Sequence, residues 1–199
     1  STYTGIISAW SDYDDWLIHK EDKMNSVLKK LKDEKIYACI HSDELSSRKF
    51  IYGKIIGVDE NYYATTMVSP DGVYDGVVIK LISDIIYLEQ SNSYDGKMAK
   101  LMDSRGYTAK IEMINSDDVL LWGLEYSRNN CGIVSVELNN SGIDDVVGTV
   151  EEINDGICKI LTVDEYGEKD GVAYFIINEV SQLCFESSDE QRLSELIKK

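Results

Sequence analysis

Residues 69–91 read "SPDGVYDGVVIKLISDIIYLEQS" and residues 164–186 read "DEYGEKDGVAYFIINEVSQLCFE". Laid over each other at an offset of 95, Gly72 falls on Gly167, Asp75 on Asp170, Gly76 on Gly171, Ile82 on Ile177 and Leu88 on Leu183. The match extends backwards, with Gly53 on Gly148, Ile55 on Val150 and Val68 on Val163. It also extends forwards, with Met98, Leu101 and Met102 on Leu193, Leu196 and Ile197. Farther upstream an offset of 92 brings Val27 and Leu28 onto Val119 and Leu120, and Cys39 onto Cys131. So long a run of features in one order is the mark of a tandem duplication. The expected units are residues 23–103 and 104–199, preceded by an N-terminal extension, residues 1–22, that packs on them.

Both copies follow one plan. In "KMNSVLKKLKDEK" (23–35), Met24, Val27, Leu28 and Leu31 recur at helical spacing, with Asp22 as a candidate cap. The counterpart "SDDVLLWGLEYSR" (116–128) reads as a helix that is apolar nearly all round. Five strand-like runs follow, at 36–41, 50–58, 62–69, 77–81 and 85–89 in the first copy. The second copy has them at 132–138, 146–153, 157–163, 171–176 and 180–185. "DEN", "PDG" and "NDG" supply turns, and "ISD" and "INE" are the tightest joints. A short helix closes each copy, at 94–103 and 189–199. Strands this short cannot bury a face alone, so a small, strongly bent barrel is expected, with Gly53, Gly57, Gly76, Gly148 and Gly171 easing the bends.

"GKIIGVDENYYATTMVS" followed by "GVVIKLISDIIYLE" resembles the two sequence motifs of the Sm/LSm small barrel, through Gly53, Ile55, Gly57, Asp59, Ile79 and Lys80. Leu81 stands where that family has glycine, and Tyr63 where its RNA-binding members have asparagine. In the second copy Asn154, Cys158 and Phe175 occupy the corresponding positions, so the resemblance implies a fold without the family's nucleotide pocket. The whole chain also resembles a family of bacterial proteins of this length. The expected architecture is mainly β, of the α+β kind: two tandem five-stranded Sm-like barrels with flanking short helices, about a pseudo-twofold axis.

Charge narrows the function classes. The chain carries a net charge of −16, divided as −5 over residues 1–103 and −11 over residues 104–199. Such a surface repels nucleic acid phosphates and anionic membranes. No apolar run approaches the roughly 18 residues that would span a bilayer. The opening "STYTGIISAWSDYDD" lacks the basic start of a secretory signal. Cys39, Cys131, Cys158 and Cys184 form no CxxC pair and lie in or beside apolar runs, which favours buried thiols in a reducing cytoplasm.

Catalytic patterns are sparse. His19 and His41 are the only histidines, and the pair Cys39 and His41 has no acid to orient it. Asp71 with Asp75 and Asp164 with Asp170 form acidic pairs, which read first as turn chemistry. GxGxxG, Walker and calcium-loop spacings are absent, and no cofactor or metal is expected. The expectation is a non-enzymatic cytoplasmic binding or scaffolding protein with a protein partner. Tyr62, Tyr63, Tyr74, Asp75 and Asp170 are its candidate contacts, and an exposed Trp10/Trp16 patch would be another. Lys29, Lys30 and Lys32, on the solvent face of the first helix with acidic residues interleaved, are candidate anion contacts. The alternatives are an RNA-associated regulator using those lysines and a metal- or carboxylate-dependent enzyme.

Overall fold

Strands form where β-branched and aromatic residues run between turn residues. The computed structural model of the chain describes residues 22–42 and 49–197. Helix α1 covers 22–33. The first half continues with β1 (Tyr37–His41), β2 (Ile51–Val58), β3 (Tyr62–Val68), β4 (Tyr74–Leu81), β5 (Tyr87–Glu89) and α2 (Ser93–Arg105). The second half has α3 (Val119–Asn130), β6 (Val134–Leu138), β7 (Val146–Asn154), β8 (Ile157–Val163), β9 (Lys169–Ile176), β10 (Val180–Phe185) and α4 (Ser188–Ile197). The tight joints Ile82–Asp84 and Ile177–Glu179 are single 3-10 turns. The expectation for residues 1–21, Trp10 and Trp16 included, lies outside the described residues.

All ten strands join one antiparallel sheet in the order β5-β1-β2-β3-β4-β10-β6-β7-β8-β9. Both halves have the same internal order, and β4 meets β10 with Val77 opposite Phe185 and Lys80 opposite Gln182. A twofold axis would set equivalent strands side by side, β4 on β9 or β5 on β10. The expected pseudo-twofold is therefore corrected: the halves meet head to tail. Helix α3 holds them so, because it leads into β6 of its own half while packing over β3 and β4 of the other.

Register also corrects the upstream alignment. Ala38 faces Gly53 as Val134 faces Gly148, and Ile40 faces Leu88 as Val136 faces Leu183. The offset before β2 is thus 96 rather than 92, and Leu28 corresponds to Leu124, both fully buried. Cys39 sits within β1, whereas Cys131 ends α3. Downstream the offset of 95 holds, and the ladders are interrupted at matched places, between Ile55 and Gly57 and between Val150 and Glu152. A Cβ on Gly53 or Gly148 would run into the carbonyl of Thr66 or Leu161, so only glycine lets these strands cross that closely.

Three apolar clusters form the core. One places Leu28 and Leu31 of α1 on Ala38, Ile40, Ile55 and Tyr63. Another places Met98 and Met102 of α2 against Cys39, Tyr52 and Val68. The largest joins both halves: Tyr62, Ala64, Val77 and Ile79 pack with Leu120, Leu124, Val136, Leu183 and Phe185. Ile111 and Ile114, from the connection between α2 and α3, belong to it too. Ile114 donates its backbone N–H to the Ile56 carbonyl at 2.8 Å, which lays that connection along β2. The units 23–103 and 104–199 therefore share one core.

The repeated Asp-Gly has a different environment in each half. Gly76 has φ +82, and a Cβ there would strike the Phe185 carbonyl and the Ser187 amide nitrogen across the junction. Gly171 lies outside the left-handed region, and a Cβ there would meet only Thr162 Oγ1, at 3.6 Å. Gly76→Ala should destabilise the fold by at least about 2 kcal/mol, and Gly171→Ala should stay within about 0.5 kcal/mol of wild type. Urea unfolding of the two variants measures the contrast.

Candidate functional site

Asp59 opens the turn between β2 and β3, and its carboxylate accepts three backbone N–H groups. Oδ1 takes those of Asn61 (2.8 Å) and Tyr62 (2.7 Å), and Oδ2 takes that of Val119 (2.7 Å). Asp118 caps the same helix end by accepting from Leu121 at 2.9 Å. Two carboxylates from different halves thus complement the positive end of α3. Beside them lies a polar cavity of about 500 Å3, lined by Lys29, Asp59, Glu60, Asn61, Asp117 and Asn178 among others. Lys29 is the basic residue of this lining, which also includes Asp59, Glu60, Asp117 and Asp118.

Farther along the junction, Glu186 takes a left-handed backbone (φ 60) and buries most of its side chain. It accepts from the Tyr74 hydroxyl at 2.9 Å and the Tyr126 hydroxyl at 3.2 Å, with Lys110 Nζ at 3.6 Å. The Cys131 thiol points at it from 3.7 Å. Burial, and then this carboxylate, push Tyr126 and Cys131 each up to about 12, and Tyr74 is raised as well. Every polar atom named here is engaged within the chain, so the cluster locks the two halves together.

The sequence-predicted contacts are spread over this architecture rather than gathered. Tyr62 is buried at the junction and donates to the Val180 carbonyl at 2.6 Å. Tyr74 is held by Glu186, and Asp75 accepts from the Ser188 N–H at 2.9 Å. Tyr63 is fully buried under α1, which removes it as a surface contact: neighbours along a strand face opposite ways, and its side takes the core. Asp170 is exposed on β9. Lys29 and Lys30 are exposed on α1 and Lys32 is partly covered.

His41 and Cys39 share a face of β1, as their spacing requires. His41 is buried, stacks on Tyr87 with centroids 3.9 Å apart, and has Nε2 2.9 Å from Glu89. Burial pushes the Cys39 thiol up, pushes Cys158 up to about 11, and raises Cys184 well above its ordinary value. Among the described residues no three His, Cys, Asp or Glu side chains are placed to hold a metal ion.

An apolar row on β8 and β9, which no sequence motif marks, is exposed. Val172, Tyr174 and Ile176 alternate along one face of β9, paired across the ladder with Leu161, Lys159 and Ile157 of β8. Their exposures are 52 %, 67 %, 53 %, 37 % and 39 % for Val172, Tyr174, Ile176, Leu161 and Ile157. At the offset of 95 they correspond to Val77, Ile79, Leu81, Thr66 and Tyr62, of which Val77 and Ile79 are fully buried. The difference is cover. In the first half α3 lies over this face, with Gly123 against Ile79, whereas no described element covers it in the second half. A shallower cavity of about 300 Å3, lined by Glu152, Asn154, Asp155, Ile157, Lys159 and Tyr174, occupies the place that corresponds to the cavity beside Asp59. The signal was available: strand residues 172–176 are as apolar as their buried counterparts, and no described helix packs over them.

No protein-family model and no curated protein matches the chain. Among solved structures, the apo state of MrkH from K. pneumonia is 12 % identical, covering 89 % of this chain and 90 % of that one. Its TM-score of 0.19 carries no argument about fold or function.

Thiolate is the reactive form of cysteine, and each unit of pKa is a tenfold change in its population. Cys131 and Cys158 should therefore react with Ellman's reagent at pH 8 at least about 100-fold more slowly in the native chain than after denaturation, and Cys39 and Cys184 more slowly as well.

Proposed function

We propose that the chain is a non-enzymatic cytoplasmic scaffold, built from two Sm-like small barrels in tandem, that binds a protein partner through the β8–β9 face. The exposed apolar row of Val172, Tyr174 and Ile176 on edge strand β9, with Ile157 and Leu161 on its neighbour β8, carries this reading. Large apolar side chains contribute about 1.5–3 kcal/mol each when buried, and a free strand edge offers backbone hydrogen bonds to an incoming strand or helix-flanked edge. Tyr62, Tyr74 and Asp75 support the scaffold from within, and Asp170 stands at the start of the binding strand.

A photoreactive phenylalanine analogue placed at position 174 should form protein adducts in cells that express the chain natively. The same group at exposed Ile143, outside this face, should form none. Leu161→Glu should abolish the adducts at 174. Equal labelling at 143 and 174, or none at either, rejects the reading.

A further inference from the structure

Resting on that reading, we infer that the occupant of the β8–β9 face is a second copy of this chain, docked head to tail through its β5 edge and the exposed flank of α1. The junction inside the chain is the template. There β4 pairs with β10, and α3, from the same half as β10, covers β3 and β4. By the sheet order, β9 stands in the second half where β4 stands in the first, and β5 stands where β10 does. These two strands, counterparts of the joined pair, are the two ends of the sheet among the described residues. A contact between non-equivalent strands leaves one complementary edge free at each end, so it can be repeated between chains.

Residue by residue, the internal contact transfers. Its register, Val77 on Phe185 through Lys80 on Gln182, becomes Val172 on Gln90 through Phe175 on Tyr87. At the offset of 96, Lys23 takes the place of Val119 and Val27 that of Gly123. Lys23 and Val27 are both exposed. A Cβ on Gly57 would lie 3.4 Å from Val119 Cγ2. The corresponding pair between chains is Glu152 with Lys23, of opposite charge. Asn154, in place of Asp59, brings a side-chain carbonyl to accept the N–H at the start of α1 as Asp59 accepts that of Val119. Charge agrees at larger scale, since α1 is rich in lysine while the half that bears β9 holds −11 of the chain's −16. Side chains enlarge in this transfer: Val27 with Tyr174 replaces Gly123 with Ile79, Glu152 with Lys23 replaces Gly57 with Val119, and Lys159 and Leu161 replace Ala64 and Thr66. Helix α1 must therefore stand farther from the sheet than α3 does, with the Tyr174 ring lying flat beneath it.

Sedimentation velocity of the full chain from about 1 to about 100 µM tests this by mass action. The expected result is a concentration-dependent mass above one chain, as a closed ring or an open polymer. Val172→Lys combined with Tyr174→Lys should weaken association at least about tenfold, with the far-UV spectrum unchanged. Lys23→Glu and Glu152→Lys should each weaken it alone and restore it when the two variants are mixed. Gln90→Cys with Val172→Cys should form a disulfide between chains under mild oxidation, which neither single variant does.

A single-chain mass over the whole range, or a disulfide formed by Val172→Cys alone, overturns the inference. The second result would mean that β9 meets β9. Adducts of foreign mass at position 174 with a monomeric purified chain would overturn self-association and keep the binding face. Absence of adducts together with a monomer would remove both.

Discussion

Between Val77–Lys80 and Gln182–Phe185 the two halves exchange backbone hydrogen bonds, and this ladder decides which side chains elsewhere are buried. It brings α3 over β3 and β4, so that Tyr62, Ala64, Val77 and Ile79 enter a core that neither half could build from its own residues. The polar groups around it follow the same logic. Asp59 of the first half caps a helix of the second, and Glu186 of the second takes the Tyr74 hydroxyl of the first. Each is a buried or half-buried hydrogen bond, and removing either partner would strand the other.

The same constraint gives the molecule its asymmetry. Two five-stranded halves of equal strand order, joined head to tail in one sheet, have only one junction for two pairs of complementary edges. One face is roofed by a helix, and no described element roofs its counterpart, although both strands β4 and β9 are apolar there. The thiols lie in surroundings that hold them protonated, and the buried histidine is stacked against a tyrosine and paired with Glu89.

Much of the architecture was legible in the sequence because strand alternation, Asp-Gly turns and matched glycines are local signals. The strand boundaries shift by a few residues, as at β4, which begins at Tyr74 rather than at Val77. The upstream offset differs from the expected one for a physical reason. The two candidate offsets differ by about one helical turn, and such a slip leaves the apolar face of a helix looking the same. Strand register separates them, because a slip there would change which residue faces Gly53 or Gly148. The symmetry relation was not legible at all, since a repeated text gives equal units without the operation that relates them. Nor could Tyr62 and Tyr63 be told apart by type: one faces the junction and the other the core beneath α1.

The roof over β3 and β4 also has a timetable. Its helix begins at Val119, well after Leu81 ends the strands it covers. A chain made from its N-terminus at about 5–20 residues per second must therefore hold that apolar surface bare for some seconds. During that interval the ribosome-bound first half is a stretch of unfinished core, open to chaperones and to neighbouring nascent chains. Completion of the fold is thus tied to the emergence of residues from the other half of the gene.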